Sequence, residues 1–230
     1  MAPSLKDTFD AQGYVRIDGA IEPDRLTDLR RRMDEALAGC EAGPTVKLGD
    51  DAEAAPLIVT APLRAAFDAL LGPGRWREPE GLEDLRVKLP SSPGPYWWHI
   101  DVFERGLETQ DEDALSWRAS PRCGGVGLLA LLLLSDVGPA DGATAMRVGS
   151  HRAVARRLGA AGDGGLSLGE LLDLGIDAET ADAPVHLAAG PAGTAFLCHP
   201  MLVHAALSHT GEGPSYWALQ AIRLAEYGRD

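Results

Sequence analysis

The stretch "PYWWHIDVFERG" at positions 95–106 sets a histidine and an aspartate two residues apart, His99 and Asp101. In an extended strand, residues i and i+2 point to the same side. Trp97, His99, Asp101 and Phe103 would then share one face, with Ile100 on the other. Such a His-x-Asp pair can be a surface hydrogen bond, a structural pair or two ligands of one metal ion. Four of the six histidines, His186, His199, His204 and His209, follow position 180, and three of them fall within "HPMLVHAALSH". Two neutral imidazoles and one carboxylate on one face of a ferrous ion leave three positions open for a cosubstrate and O2. A His-x-Asp strand followed about a hundred residues later by a histidine on another strand suits that chemistry.

Other chemistries lack their residues. The chain has no GxxxxGK[ST] or HExxH motif, and "GDGGLSLG", whose GLSLG has the GxSxG spacing, follows no convincing strand. Cys40, Cys123 and Cys198 are too few and too scattered for a disulfide framework or a CxxC zinc site. A formal charge of −13 over 230 residues argues against nucleic acid or an anionic membrane as partner. A small-molecule substrate and homo- or hetero-oligomeric assembly stay open. The N-terminus lacks a basic-then-apolar leader. The apolar run from Val126 is shorter than the ~20 residues that span a bilayer, so a cytoplasmic protein is expected.

The elements that must position these residues can be read from patterning. "GYVRIDG" is a short strand. "EPDRLTDLRRRMDEALAG" repeats Leu26, Leu29, Met33 and Leu37 at helical spacing behind Pro23, and "PLRAAFDALLGPG" is a second helix. From about Leu85 onward come short apolar segments separated by turns: "DLRVKLP", "YWWHIDVF", "GVGLLALLLLSDV", "ATAMRVGS", "APVHLAAG", "GTAFLCHPMLVHAAL" and "SYWALQAIRL". A helical insertion interrupts them near 152–175. The expectation is one α+β domain over 1–230, with 1–84 mostly helical and 85–225 forming the β core.

"WWHID", "LLLLSDVGPADGATAMRVGSH" and "GPAGTAFLCHPMLVHAA", in that order, resemble the successive motifs of phytanoyl-CoA dioxygenase-type enzymes, over positions 14–221. The resemblance implies a double-stranded β-helix (jelly-roll, cupin-like), Fe(II), 2-oxoglutarate and O2 as cofactors, and His99, Asp101 and His204 as iron ligands. It implies that "GSH" at 149–151 is a structural turn, which leaves His151 outside the metal site. Among the late histidines, His199 precedes Pro200, which cannot donate to a ladder, and His209 adjoins the "TGEG" turn. His204, flanked by Val203 and Ala205, is preferred, with His199 the fallback. Relatives that halogenate replace the carboxylate by a small residue, so Asp101 implies oxygen transfer or desaturation.

The resemblance fails at one place. The family's arginine for the distal carboxylate of 2-oxoglutarate falls on Ser215 here, and Arg223 lies eight residues further on, ~26 Å of extended chain. A serine does not replace two parallel charged hydrogen bonds. Lys88 in "RVKLP", at a position from which relatives contact the cosubstrate, and Arg147 in "AMRVGS" are the candidate cations, with Thr144 and Ser215 adding hydroxyls. A different 2-oxoacid, a zinc or manganese hydrolase or isomerase, and a non-catalytic binding or partner subunit are the alternatives. Trp97, Phe103 and Trp117 are candidate substrate contacts. Arg118 and Arg122, on the polar segment 104–123, are candidate anion contacts. Specialised small-molecule metabolism is the expected context.

Overall fold

The computed structural model describes residues 3–39, 45–94, 97–101 and 113–226. Helix α1 (Leu5–Gln12) starts with a reciprocal cap between Ser4 and Asp7, an S-x-x-D signal that the helical periodicity alone does not reveal. It stops at Gly13, whose φ of 83° lets its N–H reach Phe9 O at 2.7 Å. Strand β1 (Tyr14–Ile17) and helix α2 (Pro23–Leu37) follow, with Pro23 in the first turn and Leu26, Leu29 and Met33 buried. Strand β2 (Thr45–Asp51), the short α3 (Ala55–Ile58) and α4 (Ala61–Leu71) lead to β3 (Leu82–Lys88).

The rest is mainly strand: β4 (Arg118–Ala119), β5 (Val126–Leu133), β6 (Thr144–Arg147), then helix α5 (His151–Ala161). Next come β7 (Leu166–Ser167), α6 (Leu168–Asp173), α7 (Ile176–Glu179), β8 (Val185–Ala188), β9 (Ala195–Cys198), β10 (His204–Ala206) and β11 (Ser215–Arg223). Six strands form an antiparallel sheet in the order β1-β9-β5-β11-β3-β2, and three form a smaller one, β10-β6-β8. This is the jelly-roll arrangement expected from the resemblance. The segment 1–84 is less purely helical than expected, since β1 and β2 supply both edges of the large sheet. No single helix among the described residues is long and apolar enough to cross a membrane.

Strand parity sorts the core. Leu128, Ala130 and Leu132 of β5 face the helices and pack in the cluster that holds Leu29, Met33 and Phe67. Leu129, Leu131 and Leu133 face the smaller sheet, in the cluster with Met146, Phe196 and Cys198. The continuous apolar run of β5 is therefore a strand buried on both faces. The expected strand "GTAFLCHPMLVHAAL" divides in two. A turn closed by Leu202 N–H to His199 O separates β9 from β10, because Pro200 has no N–H to continue the ladder.

Gly13 has little tolerance. A Cβ there would meet His151 Nδ1 at 2.5 Å and Leu202 at 2.8 Å, at a φ that other residues rarely adopt. Gly13→Ala is expected to cost about 3 kcal/mol, a fall of roughly 6–12 °C in Tm measured by calorimetry. An unchanged Tm would mean that α1 does not close on α5 as described.

Candidate metal centre

His99 and His204 are held together by their own backbones. His99 N–H donates to His204 O at 3.0 Å and His204 N–H to His99 O at 2.9 Å, a single antiparallel bridge. A pair that exchanges both bonds projects its side chains to one side, and the two imidazole centroids lie 4.6 Å apart. The expected strand across 96–103 is thus only this bridge within the described residues 97–101. It suffices because β10, only three residues long, is anchored along its other edge to β6, with His204 opposite Met146.

Each imidazole is oriented by a carbonyl two residues before it. His99 Nδ1–H donates to Trp97 O at 2.8 Å and His204 Nδ1–H to Leu202 O at 2.9 Å. A carbonyl only accepts, so both rings carry their proton on Nδ1 and offer an Nε2 lone pair. Asp101 Oδ2 lies 3.5 Å from His204 Nε2, and the donor atoms of His99, Asp101 and His204 all fall within 4.8 Å of one another. Burial, followed by the neighbouring His204, holds His99 below the usual imidazole range despite the Trp97 carbonyl, which favours the neutral ligand form. Two nitrogens with outer-shell anchors and one carboxylate fit ferrous iron. Ile100 points the other way, into the cluster formed by the helical insertion with Met201 and Val203.

The three donors open into a cavity of about 540 Å³. Its apolar wall includes Leu129, Leu131, Leu219 and Met146, and Trp97, 42% exposed, stands at its edge with its ring 4.9 Å from that of His99. Lys88 and Thr144 line it. Lys88 is 2% exposed and donates through Nζ to Leu207 O and to Gly142 O at 3.3 Å; burial pulls its ammonium below the ordinary lysine range. Ser215 is the register partner of Lys88 across β11 and β3, and its hydroxyl donates to Asp141 O at 2.8 Å.

Other expected site residues lie elsewhere. Arg147 is not a cavity cation. Thr144 and Met146 of β6 face the cavity, so strand alternation turns Arg147 outward, where Nη1 binds Asp177 O, Asp177 Oδ1 and Thr180 Oγ1 at 2.8, 2.6 and 2.9 Å. Its guanidinium also lies 4.2 Å from the Trp98 ring centroid. Trp117 O accepts from Leu168 N–H, Arg118 binds Gly164 O, Gly165 O and Glu170, and Arg122 lies 3.5 Å from Asp163. The Trp117 carbonyl and the two arginine side chains tie their segment to the helical insertion, and none of the three residues lines the cavity. Phe103 and positions 104–112 of the polar segment fall outside the described residues. Sequence reading missed Arg86, which does line the cavity. The signal was there in "DLRVK", where Asp84, Arg86 and Lys88 alternate.

The fallback ligand His199 has another place. It lines the cavity, accepts Met201 N–H on Nδ1 at 3.1 Å, and packs 5.1 Å from the His151 ring. His151 begins α5 just after Ser150, whose hydroxyl accepts Val203 N–H at 2.9 Å, so "GSH" is a structural turn. Burial, then His151, pushes His199 down to about 4. The unfolded chain takes up a proton near pH 6.5 that the folded one refuses. Stability is therefore greatest above pH 6.5 and declines as pH falls toward 4, by on the order of 3 kcal/mol from this group. His199→Asn keeps an acceptor for Met201 and should flatten the decline between pH 6.5 and 5 in urea melts. An unaltered slope would remove His199 as its source.

No curated protein matches the sequence. Among solved structures, the chain resembles the non-heme alpha ketoglutarate dependent carbocyclase SnoK from nogalamycin biosynthesis, with 20% identity and a TM-score of 0.63 over 97% of this chain and 84% of that one. The epimerase SnoN from the same biosynthesis is similar at 20% identity and TM-score 0.59, covering 95% and 80%. EctD from S. alaskensis, solved with 2-oxoglutarate and 5-hydroxyectoine, shows 18% identity and TM-score 0.63, covering 100% and 78%. At these identities the likeness establishes the shared fold. The family model described as phytanoyl-CoA dioxygenase (PhyH) matches residues 9–215, which include all three clustered donors, and the chain belongs to that family.

Proposed function

We propose that the chain is a non-haem Fe(II)- and 2-oxoglutarate-dependent dioxygenase that hydroxylates or otherwise oxidises an unactivated C–H bond of a small molecule, with His99, Asp101 and His204 as the metal ligands. The observation that carries this reading is the convergence of two Nδ1-anchored imidazoles and one carboxylate at the wall of a cavity. Iron bound there, with 2-oxoglutarate and O2, supplies the oxidising power, yielding succinate, CO2 and oxidised substrate. Asp101 neutralises one of the two positive charges of the ion. The Trp97 and Leu202 carbonyls fix the ring planes, which lowers the reorganisation needed on binding. Leu129, Leu131, Leu219 and Met146 keep water from the reacting bond.

Lys88 is the group we assign to the distal carboxylate of 2-oxoglutarate, with Thr144 beside it. Ser215 stands where the family carries its arginine, and in an antiparallel pair the directly opposite residue shares its face. The charge absent from β11 is thus delivered from β3. With a cation in place, the readings without cosubstrate gain no observation. The setting we infer is cytoplasmic specialised metabolism, compatible with the free thiol Cys198. Protein purified without air and given Fe(II), 2-oxoglutarate and O2 should form succinate slowly, and faster when a candidate substrate is added. Absence of succinate together with absence of 2-oxoglutarate binding would reject this reading.

A further inference from the structure

Beside Lys88 the cavity holds a second cation, Arg86, two residues away on β3. Its guanidinium is aimed with some care. Nε and Nη2 donate to the two carboxylate oxygens of Asp84 at 2.8 and 2.7 Å, and the group lies 5.2 Å from the ring centroid of Trp217, its register partner on β11. Asp84 adopts a φ of 46°, a left-handed conformation inside a strand. Alongside, Glu83 N–H is satisfied by the Gln220 side chain and Ala221 N–H by the Glu83 carboxylate, and the β2–β3 register shifts next to it. The ion pair is half-buried, its side chains 36% and 18% exposed, but it joins residues only two apart on one strand and fastens no distant elements together, so it does not by itself account for the strained backbone. Strain of this kind concentrates at ligand-binding positions.

The clamp uses the Nε–Nη2 edge and leaves the Nη1 N–H groups without a partner among the described residues. About a third of the Arg86 side chain is exposed, against 2% of Lys88 as a whole residue. The two cations thus differ in depth, one closed in and one accessible, on the same wall of a cavity that pairs an apolar part of leucines, Met146, Trp97 and Trp217 with the metal donors and Asp84.

We propose that Arg86 is a substrate-binding residue that receives an acidic group, carboxylate or phosphate, of the prime substrate, which is accordingly a small anion with an apolar body. The proposal deepens the oxygenase reading and rests on it. Asp84 and Trp217 position the guanidinium so that its free edge meets two acceptor oxygens at little entropic cost. The cosubstrate is itself an acid, so the same chemistry has two possible sources, and Lys88 serves as the control.

The test uses the anaerobic Fe(II)·2-oxoglutarate protein and amphiphilic probes: phenylacetate, indole-3-acetate, decanoate and phenyl phosphate, with the matching amides and alcohol. Binding is read by tryptophan fluorescence, in both the metal-loaded and the metal-free protein. The expected result is acids binding at least tenfold tighter than their neutral partners. Arg86→Met should erase that preference, Arg86→Lys should retain part of it, and the 2-oxoglutarate Kd should stay within twofold in Arg86→Met. An Asp84→Asn/Arg86→Met double variant removes the carboxylate that Arg86 engages, should the single variant fold poorly. Equal or absent binding of acids and neutral partners would overturn the proposal. So would a 2-oxoglutarate Kd raised in Arg86→Met as much as in Lys88→Met, since Arg86 would then belong to the cosubstrate. Failure of the oxygenase reading shows separately, as a wild-type protein without iron-dependent 2-oxoglutarate binding, because the acid preference is also measured without metal.

Discussion

His204→Ala is expected to lose its iron and all measurable turnover, whereas His199→Ala keeps the metal. Disturbing a group that merely orients a ligand costs about 10–100-fold in metal affinity, so removing a ligand should cost at least ~100-fold. His204 is the imidazole whose ring nitrogen lies 3.5 Å from Asp101 and whose backbone is bridged to His99. His199 spends Nδ1 on Met201 and packs against His151. Metal analysis after anaerobic loading and gel filtration separates the two variants. Iron retained in full by His204→Ala and lost from His199→Ala would exchange their roles. Because β10 is fixed by backbone pairing to β6 as well as to His99, circular dichroism of His204→Ala should match the wild type.

The second large effect is expected at Lys88. A hydrogen bond to a charged group is worth about 1.5–3 kcal/mol, so Lys88→Met should raise the Kd for 2-oxoglutarate roughly 10–150-fold while leaving iron binding unchanged. Ser215→Arg alone places a second cation against Lys88 in a closed corner, where Ser215 is 2% exposed, and should destabilise the fold. The double variant Lys88→Met/Ser215→Arg moves the charge back to β11 and should recover part of the lost affinity. Anaerobic titration of each iron-loaded variant measures this. A Kd unchanged in Lys88→Met would remove the lysine from the cosubstrate site.

Much of this architecture was legible because it depends on local pattern. Alternation and turn residues located β3, β5, β6, β8 and β11, and Pro23 with its leucine spacing located α2. The His-x-Asp pair was legible because two residues on one chain face carry their own geometry. What escaped depends on partners distant in sequence. Arg147 and Thr144 could both be drawn toward the cavity only while β6 parity was ignored; the partners that take the guanidinium, Asp177 and Thr180, lie on a helix and its end some thirty residues away. Arg122 and Trp117 were read as substrate contacts on a loop. Their destination depends on β4 pairing with β7, two strands of two residues each that no periodicity marks. Arg86 shares the parity of Lys88 and was passed over only because a charge on an edge-proximal strand ordinarily faces solvent.

The most direct measurement is an anaerobic titration of the purified protein with Fe(II) and then 2-oxoglutarate, followed by visible absorbance, in wild type and in His99→Ala, Asp101→Ala and His204→Ala. One iron per chain and a charge-transfer band that appears on adding 2-oxoglutarate to the wild type, and in none of the three variants, is the expected result. A wild-type protein that takes up no iron, or a band that persists at wild-type strength in any of the three variants, would contradict the assignment of the metal centre.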